Sequence, residues 1–273
     1  MEEATPDPDR VPLAERAILA LGGHEFSRQR GNEAIRDYLL GLVSAPRPSV
    51  CLLPTASGDP ADQIAAFRSS FADRECELSH ISLFRLEAEA VDLAEHLLSR
   101  DAIYVGGGSM LNLIAVWRAH GVDALLRRCW ERGVLLAGQS AGAMCWFEWG
   151  VSRSAGVARP VPGLGLVPGM LSSHYHRDPE RRRAMLAEVA RRGRPGYGLD
   201  DGAGILIRGA AVAGAISARE EAGAWRVLPD GRGRARELPM HAEELAAPRA
   251  AIDEPTTEVL ELRAVRALRA GRL

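Results

Sequence analysis

The stretch Val134 to Glu148, VLLAGQSAGAMCWFE, decides how the rest of the chain is read. An apolar run suited to a buried strand enters Gly138-Gln139-Ser140-Ala141-Gly142 and leaves in residues suited to a helix. A serine on a sharp strand-to-helix turn has its hydroxyl pushed clear of the backbone, and glycines two residues before and after it remove side chains that would collide there. The following helix adds free N–H groups and the positive end of its dipole, which favour negative charge beside the serine. The plainer alternative is a glycine-bounded turn in which Ser140 only caps a helix.

Outward from this turn, apolar runs alternate with helical patterns, the signature of a parallel sheet covered by helices on both faces. Residues 17 to 22 (AILALG), 48 to 54 (PSVCLLP), 79 to 84 (SHISLF) and 101 to 105 (DAIYV) read as strands. Between the first two, Ile35, Tyr38, Leu39 and Leu42 fall at i, i+3, i+4 and i+7 of a helix. Helices are also expected over 61 to 72, 87 to 98, 110 to 119 and 122 to 131. Beyond the elbow helix, residues 151 to 169 are rich in Gly, Pro and Val and read as loop with at most short strands. A charged helix over 179 to 191 is opened by Asp178 as cap and Pro179 at its first position. Short alternating runs over 204 to 238 predict antiparallel strands that finish the sheet, and 256 to 269 a helical tail. The resulting division is an extended or disordered segment over 1 to 14, one α/β domain over 15 to 253 and a tail over 254 to 273.

Composition narrows the chemistry. With 273 residues, 47% of them hydrophobic, the chain can bury a large core. A formal charge of −2 and the lack of a long basic run argue against nucleic acid as a partner. No apolar run reaches membrane-spanning length, and the acidic, Pro-rich start MEEATPDPDR is the opposite of a signal peptide, so the expectation is a cytoplasmic protein. Cys51, Cys76, Cys129 and Cys145 have no CxxC spacing and read as free thiols. All 34 residues counted as Lys+Arg are arginine. Schiff-base, Walker and Ser–Lys chemistries are thereby excluded, and Ser140 needs a histidine or carboxylate as base.

Seven histidines are available for that role. His24, His80, His96 and His120 suit structural or solvated roles, whereas His174 and His176 lie in SSHYHRDPERRR, a polar turn before a helix where loops carry function. Their His-x-His spacing lacks the companion ligands of a metal site, and no metal or organic cofactor is expected. His241 is the rival base, because an α/β-hydrolase places its histidine last in the chain. Val105-Gly106-Gly107-Gly108-Ser109, at the end of an expected strand, can bring a backbone N–H close to a carbonyl oxygen, with the N–H of Ala141 as second donor; a dinucleotide or phosphate loop is the weaker alternative, since the spacing is not GxGxxG.

Seven ordered segments carry a resemblance: ILALGG (18–23), CLLPTASGD (51–59), YVGGGSMLNL (104–113), GQSAGAMCWFE (138–148), GLGLVPG (163–169), SHYHRDPERR (173–182) and YGLDDGAGIL (197–206). Over about residues 17 to 210 the chain resembles the peptidase E (aspartyl dipeptidase) family of serine peptidases, which includes the cyanophycinases. The resemblance implies a three-layer α/β/α sandwich with a mostly parallel sheet, like the class I glutamine amidotransferases and flavodoxin-like folds, and hydrolysis of short peptides after an N-terminal aspartate. It implies Ser140 as nucleophile, His174 as base in preference to His241, and Gly107 or Gly108 with Ala141 as oxyanion donors. Relatives often carry an acidic residue in a Thr-Asp-Ser stretch where this chain has Ser152-Arg153-Ser154, so the third catalytic residue is open; Glu148 is the first choice, with Asp200 or Asp201 behind it. Ser109-Met110 also replaces the Asn-Thr usual in relatives.

Arg177, Arg181 and Arg182 closely follow the expected base, and a guanidinium fork suits the carboxylate of an acidic peptide. The partner implied is therefore a small peptide bearing an acidic residue, with homodimerisation left open. The alternatives are a cyanophycinase-like or isoaspartyl peptidase, an esterase using His241, and a non-catalytic binder of acidic peptides.

Overall fold

Side chains alternating between two buried layers organise the main sheet in the computed structural model, which describes residues 9–23, 32–86 and 92–245. Strands β1 (Ala17–Leu21), β2 (Ser49–Leu53), β4 (Ala102–Val105) and β5 (Leu135–Gln139) are buried along their whole length, as continuous apolar runs in a parallel sheet should be. With β3 (Glu77–His80) they pair in parallel in the order β1-β5-β4-β2-β3. On the far side of β1, β10 (Ala203–Arg208) and β11 (Ala211–Ser217) add antiparallel, and β14 (Ala242–Glu244) joins β11 in parallel to complete eight strands.

Alternate residues of these strands meet different helices. Leu19, Leu21, Val50, Leu52, Tyr104 and Ala137 pack against Ile35 and Leu39 of α1 (Asn32–Gly41) and Phe67 of α2 (Ala61–Ser70). Ile18, Ala20, Cys51, Leu53, Ile103 and Leu136 face the other way. They share a core with Leu113 and Trp117 of α4 (Met110–His120) and Leu126 and Cys129 of α5 (Val122–Glu131). Helices therefore cover both faces, giving the expected three α/β/α layers. The helix expected over 87 to 98 appears as α3 (Leu93–Leu98), capped by the Asp92 carboxylate, which accepts from the N–H groups of Ala94 and Glu95. Residues 87–91 and the tail over 254 to 273 lie outside the described residues. Of the first 14 residues, 9 to 14 are described, and the Val11 N–H donates to the Glu131 carbonyl at 2.9 Å.

Residues 151 to 169, read as loop with at most short strands, contain a four-residue strand and the ends of two longer ones, all belonging to a second sheet. Its six strands run β13 (Ala235–Pro239), β12 (Ala224–Pro229), β9 (Gly196–Leu199), β8 (Val167–Ser173), β6 (Phe147–Ser152) and β7 (Arg159–Pro162). The run over 204 to 238 is split accordingly: β10 and β11 extend the first sheet, while β12 and β13 belong to the second. One face of this sheet carries Val151, Met170 and Val227 against Met185 and Val189 of the charged helix α7 (Pro179–Arg192). From the other, Phe147, Leu171, Tyr197 and Leu199 enter the same core as α4 and α5. The two sheets meet where Gly23, just after β1, forms an isolated bridge with Asp201, just after β9. Among the described residues no helix is long and apolar enough to cross a membrane.

Candidate active site

Ser140 sits between β5 and the short helix α6 (Ala141–Met144) with φ 52° and ψ −114°, an uncommon backbone state for a residue with a Cβ. Such a state costs on the order of 1–3 kcal/mol and persists only where its surroundings fix it. The Ser140 N–H donates to the Leu21 carbonyl at 3.0 Å, and the Ser140 carbonyl accepts from Ala143 and Met144 at 3.0 and 2.9 Å. The flanking glycines are required by packing: a Cβ on Gly138 would lie 2.6 Å from the Gly142 carbonyl carbon, and one on Gly142 would lie 2.8 Å from the Gly106 carbonyl oxygen. The elbow read from the sequence is therefore formed.

His174 follows the last residue of β8, also at positive φ (53°). Its Nε2 lies 3.0 Å from Ser140 Oγ, and its Nδ1 forms a short hydrogen bond with Asp201 Oδ1. These partners assign the proton to Nδ1 and leave Nε2 as acceptor. Asp201 stands in the turn from β9 to β10, where its Oδ2 also accepts from Arg177 Nη1 at 3.2 Å. The His174 hydrogen bond first, and then Arg177, hold the Asp201 carboxyl below the usual aspartate range against the opposing effect of burial. The group is thus an anion at neutral pH, able to orient the imidazole and to stabilise its cationic form.

Gly23, at the end of β1, explains why the first strand finishes in a pair of glycines. A Cβ there would lie 2.6 Å from His174 Cε1 and would overrun Asp201 Oδ1. The turn of Gly107 also comes close: a Cβ on Gly107 would be 3.4 Å from Ser140 Cβ. The neighbouring N–H groups are occupied, Gly106 donating to Leu53 at 3.1 Å and Ser109 to Ala56 at 2.7 Å. No described residue accepts from the N–H of Gly107, Gly108 or Ala141. These are the donors that the sequence singled out for a developing oxyanion.

Other candidates are placed elsewhere. Glu148 corrects our first choice for the third carboxylate: it lies on β6, where Oε2 accepts from the Gly169 N–H at 2.8 Å and Oε1 from Arg194 at 3.1 Å. Asp200 holds His176 instead, through its N–H at 2.8 Å and Nδ1 at 3.2 Å, while the His176 ring stands edge-on to Trp225 at 3.9 Å. His241 is exposed between β13 and β14. Arg182 is also corrected: it donates to Glu237 of β13 at 2.8 and 2.5 Å and is not among the residues that line the cavity beside His174. Among the described residues, no group of three or more His, Cys, Asp or Glu is placed to hold a metal ion.

Arg177 and Arg181 do line an open cavity of about 390 Å³ together with His174, Asp178, Pro179 and Arg153. Arg153, which stands where relatives often have an acid, reaches Asp178 at 3.5 Å and Glu180 at 3.3 Å. Arg181 Nη1 donates to the Ser173 carbonyl at 3.2 Å and to Ser173 Oγ at 3.0 Å. Ser173 was not singled out by the sequence, although its place one residue before His174 at a strand end was a usable signal.

The arrangement can transfer a proton from Ser140 to His174 while the serine attacks a carbonyl carbon. Comparison with known proteins agrees with that chemistry. Residues 18–214 match the model of peptidase family S51. The uncharacterized peptidase YgaJ of Bacillus subtilis (strain 168) is 38% identical over 214 residues, covering 78% of this chain and 92% of that protein. At the level of fold, a peptidase from an acI-B1 Actinobacterium has a TM-score of 0.56 at 17% identity, over 81% of this chain and 93% of that one. A candidate peptidase E from Listeria monocytogenes EGD-e has a TM-score of 0.53 at 18% identity, over 74% and 98%. An elbow serine within reach of a histidine, carried on a sequence that matches the family from its first strand to β11, means that this chain belongs to peptidase family S51, the serine peptidases of the peptidase E type.

Proposed function

We propose that the protein hydrolyses short peptides after an N-terminal aspartate, with Ser140 as nucleophile, His174 as general base and Asp201 as the carboxylate that orients it. The observation that carries the substrate class is the arginine-lined cavity beside His174. Its volume of about 390 Å³ falls within the range of small-ligand sites. Its arginines are already engaged with Asp178, Glu180 and Asp201, so the cavity is not a bare cationic patch. Each guanidinium nonetheless has more N–H donors than these contacts use, and Arg177 is 82% exposed, so an incoming carboxylate can be bound in a charge-assisted fork.

With the aspartyl side chain in that cavity, the scissile carbonyl lies over Ser140. His174 Nε2 takes the Ser140 proton, Oγ bonds to the carbonyl carbon, and the oxyanion is held by Ala141 and by Gly107 or Gly108. His174 then gives the proton to the leaving amine, and water, deprotonated by the same nitrogen, releases aspartate from Ser140. Loss of one oxyanion donor costs on the order of 100- to 1,000-fold in turnover.

The test is kcat/KM for Asp-Leu, Asn-Leu and Ala-Leu, with Ser140→Ala as control. Asp-Leu is expected to exceed both by about 100-fold or more, since the site's donors are left unpaired by a neutral side chain. Equal turnover of Asp-Leu and Ala-Leu refutes the acidic preference, and turnover that survives Ser140→Ala refutes the nucleophile. Hydrolysis of a β-aspartyl peptide alone would replace the aspartyl reading with an isoaspartyl one.

A further inference from the structure

Ser173 is fully buried at the end of β8, beside the nucleophile. Its Oγ lies 3.4 Å from Ser140 Oγ, 3.6 Å from Met144 Sδ and 3.0 Å from Arg181 Nη1. An arginine can only donate, so the Ser173 oxygen accepts from Arg181 and its own proton must point elsewhere. Two acceptors are in reach, and a thioether is the weaker.

We infer that Ser173 is a positioning residue that donates its hydroxyl proton to Ser140 Oγ, with Arg181 fixing the direction of that donation. The Ser140 oxygen then receives a proton from one side and directs its own to His174 Nε2, 3.0 Å away on the other. The hydroxyl network has one sense from Arg181 through Ser173 and Ser140 to His174. At 3.4 Å the contact is long for an O–H···O bond in the resting enzyme. It tightens as His174 removes the Ser140 proton, because Oγ gains negative charge while the Arg181 contact makes the Ser173 proton a stronger donor. No proton passes through Ser173: His174 takes the Ser140 proton and later returns it, and the Ser173 O–H bond stays intact throughout. When Ser140 leaves at the end of the cycle, the same donor assists the departing oxygen.

The inference rests on Ser140 and His174 as nucleophile and base, and is independent of the aspartyl preference. Its test therefore includes a reaction that needs no peptide recognition: modification of Ser140 by phenylmethylsulfonyl fluoride, followed as a second-order rate constant for the wild type, Ser173→Ala and Ser173→Thr. In Ser173→Ala, both this rate constant and kcat on Asp-Leu are expected to fall by about 10- to 100-fold, the scale of a charge-assisted hydrogen bond. KM should change less than kcat, because Arg181 stays anchored in the cavity by the Ser173 carbonyl and Asp178, and the acid limb of the pH profile should not move, because the His174–Asp201 pair is untouched. Ser173→Thr restores the hydroxyl and should restore both rates. If its extra methyl prevents folding at this buried position, Ser173→Cys, a weaker donor, should give intermediate rates.

Wild-type rates in Ser173→Ala overturn the inference while leaving the nucleophile in place. So does a loss of kcat that moves with KM and melting temperature and that neither hydroxyl nor thiol rescues, which would mark a packing role. A wild-type enzyme that the reagent does not modify at Ser140 overturns the nucleophile assignment, and the role of Ser173 with it.

Discussion

Adding one methyl group at Gly23 should disable the enzyme without unfolding it. A Cβ on Gly23 would stand 2.6 Å from His174 Cε1 and 2.8 Å from Nδ1, against the 3.4 Å at which ordinary contact begins, and closer still to Asp201 Oδ1. The shortfall is 0.8 Å at Cε1, taking 2.6 Å from 3.4 Å. The β1 backbone has little room to retreat, since a Cβ on Gly22 would lie 2.7 Å from the Leu199 carbonyl oxygen and the Gly23 carbonyl accepts from Gly202 at 2.9 Å. The movable parts are the imidazole and the carboxylate, which must separate or shift together by about 1 Å. A displacement of that size costs about 100-fold, and loss of the carboxylate that fixes the tautomer costs about 10⁴-fold, so kcat of Gly23→Ala should fall between those limits. Overpacking costs about 1–3 kcal/mol, which in a chain of this size lowers Tm by a few degrees and leaves the protein folded at 25 °C. The assay is kcat on Asp-Leu beside Tm by calorimetry, with Gly41→Ala as control, where an added Cβ meets nothing within 4 Å. Wild-type kcat in a folded Gly23→Ala protein would refute the reasoning.

Two further outcomes follow from the ionisable groups. The Asp201 carboxyl is held below the usual aspartate range, chiefly by its His174 hydrogen bond, so its contribution to stability is complete above the unfolded aspartate range near pH 4 and is lost as pH falls through the lower folded value. Chemical denaturation of wild type and Asp201→Asn should therefore give a stability difference that is flat above about pH 4 and shrinks below it; a difference that grows on acidification contradicts the assignment. Among the thiols, burial pushes Cys51 up to about 11 and Cys129 to about 12, and Cys145 is also fully buried and raised, while Cys76 is only partly buried. Ellman's reagent should react with at most one thiol in the native protein and with four after denaturation, and two fast thiols in the native state would be contrary to this packing.

The parts of the fold that were legible in the sequence are those in which one segment carries its own pattern. Ile35 and Leu39 mark the buried side of α1, Asp178-Pro179 opens α7, and the largely apolar runs of β1, β2, β4 and β5 announce a sheet covered on both faces. The second sheet was not legible for two reasons. Its edge strand β7 contains Pro160 and Pro162, which cannot donate to a ladder, and β8 contains Pro168 and Gly169, so both resemble loop. Alternation also identifies a strand without naming its neighbour, so β12 was assigned to the wrong sheet. In the site, Ser140 and His174 each stand in a local motif, whereas the third carboxylate is defined by proximity in space. Glu148 is close to Ser140 in sequence but is carried into the second sheet by β6, while Asp201 is brought to His174 by the pairing of β9 with β8. Arg182 had a readable signal: one residue beyond Arg181, it is rotated about 100° around α7 and so faces away from the cavity that Arg181 lines.

The assignment of the third catalytic residue separates the geometry from the sequence most cleanly, and kcat of Asp201→Asn measured beside Glu148→Gln tests it most directly. Asp201→Asn should lower kcat by about 10⁴-fold, because a neutral amide no longer stabilises the imidazolium and its NH2 can donate to Nδ1 and fix the wrong tautomer, while Glu148→Gln should stay within a few-fold of wild type. A large loss in Glu148→Gln with little change in Asp201→Asn would contradict the Ser140–His174–Asp201 site.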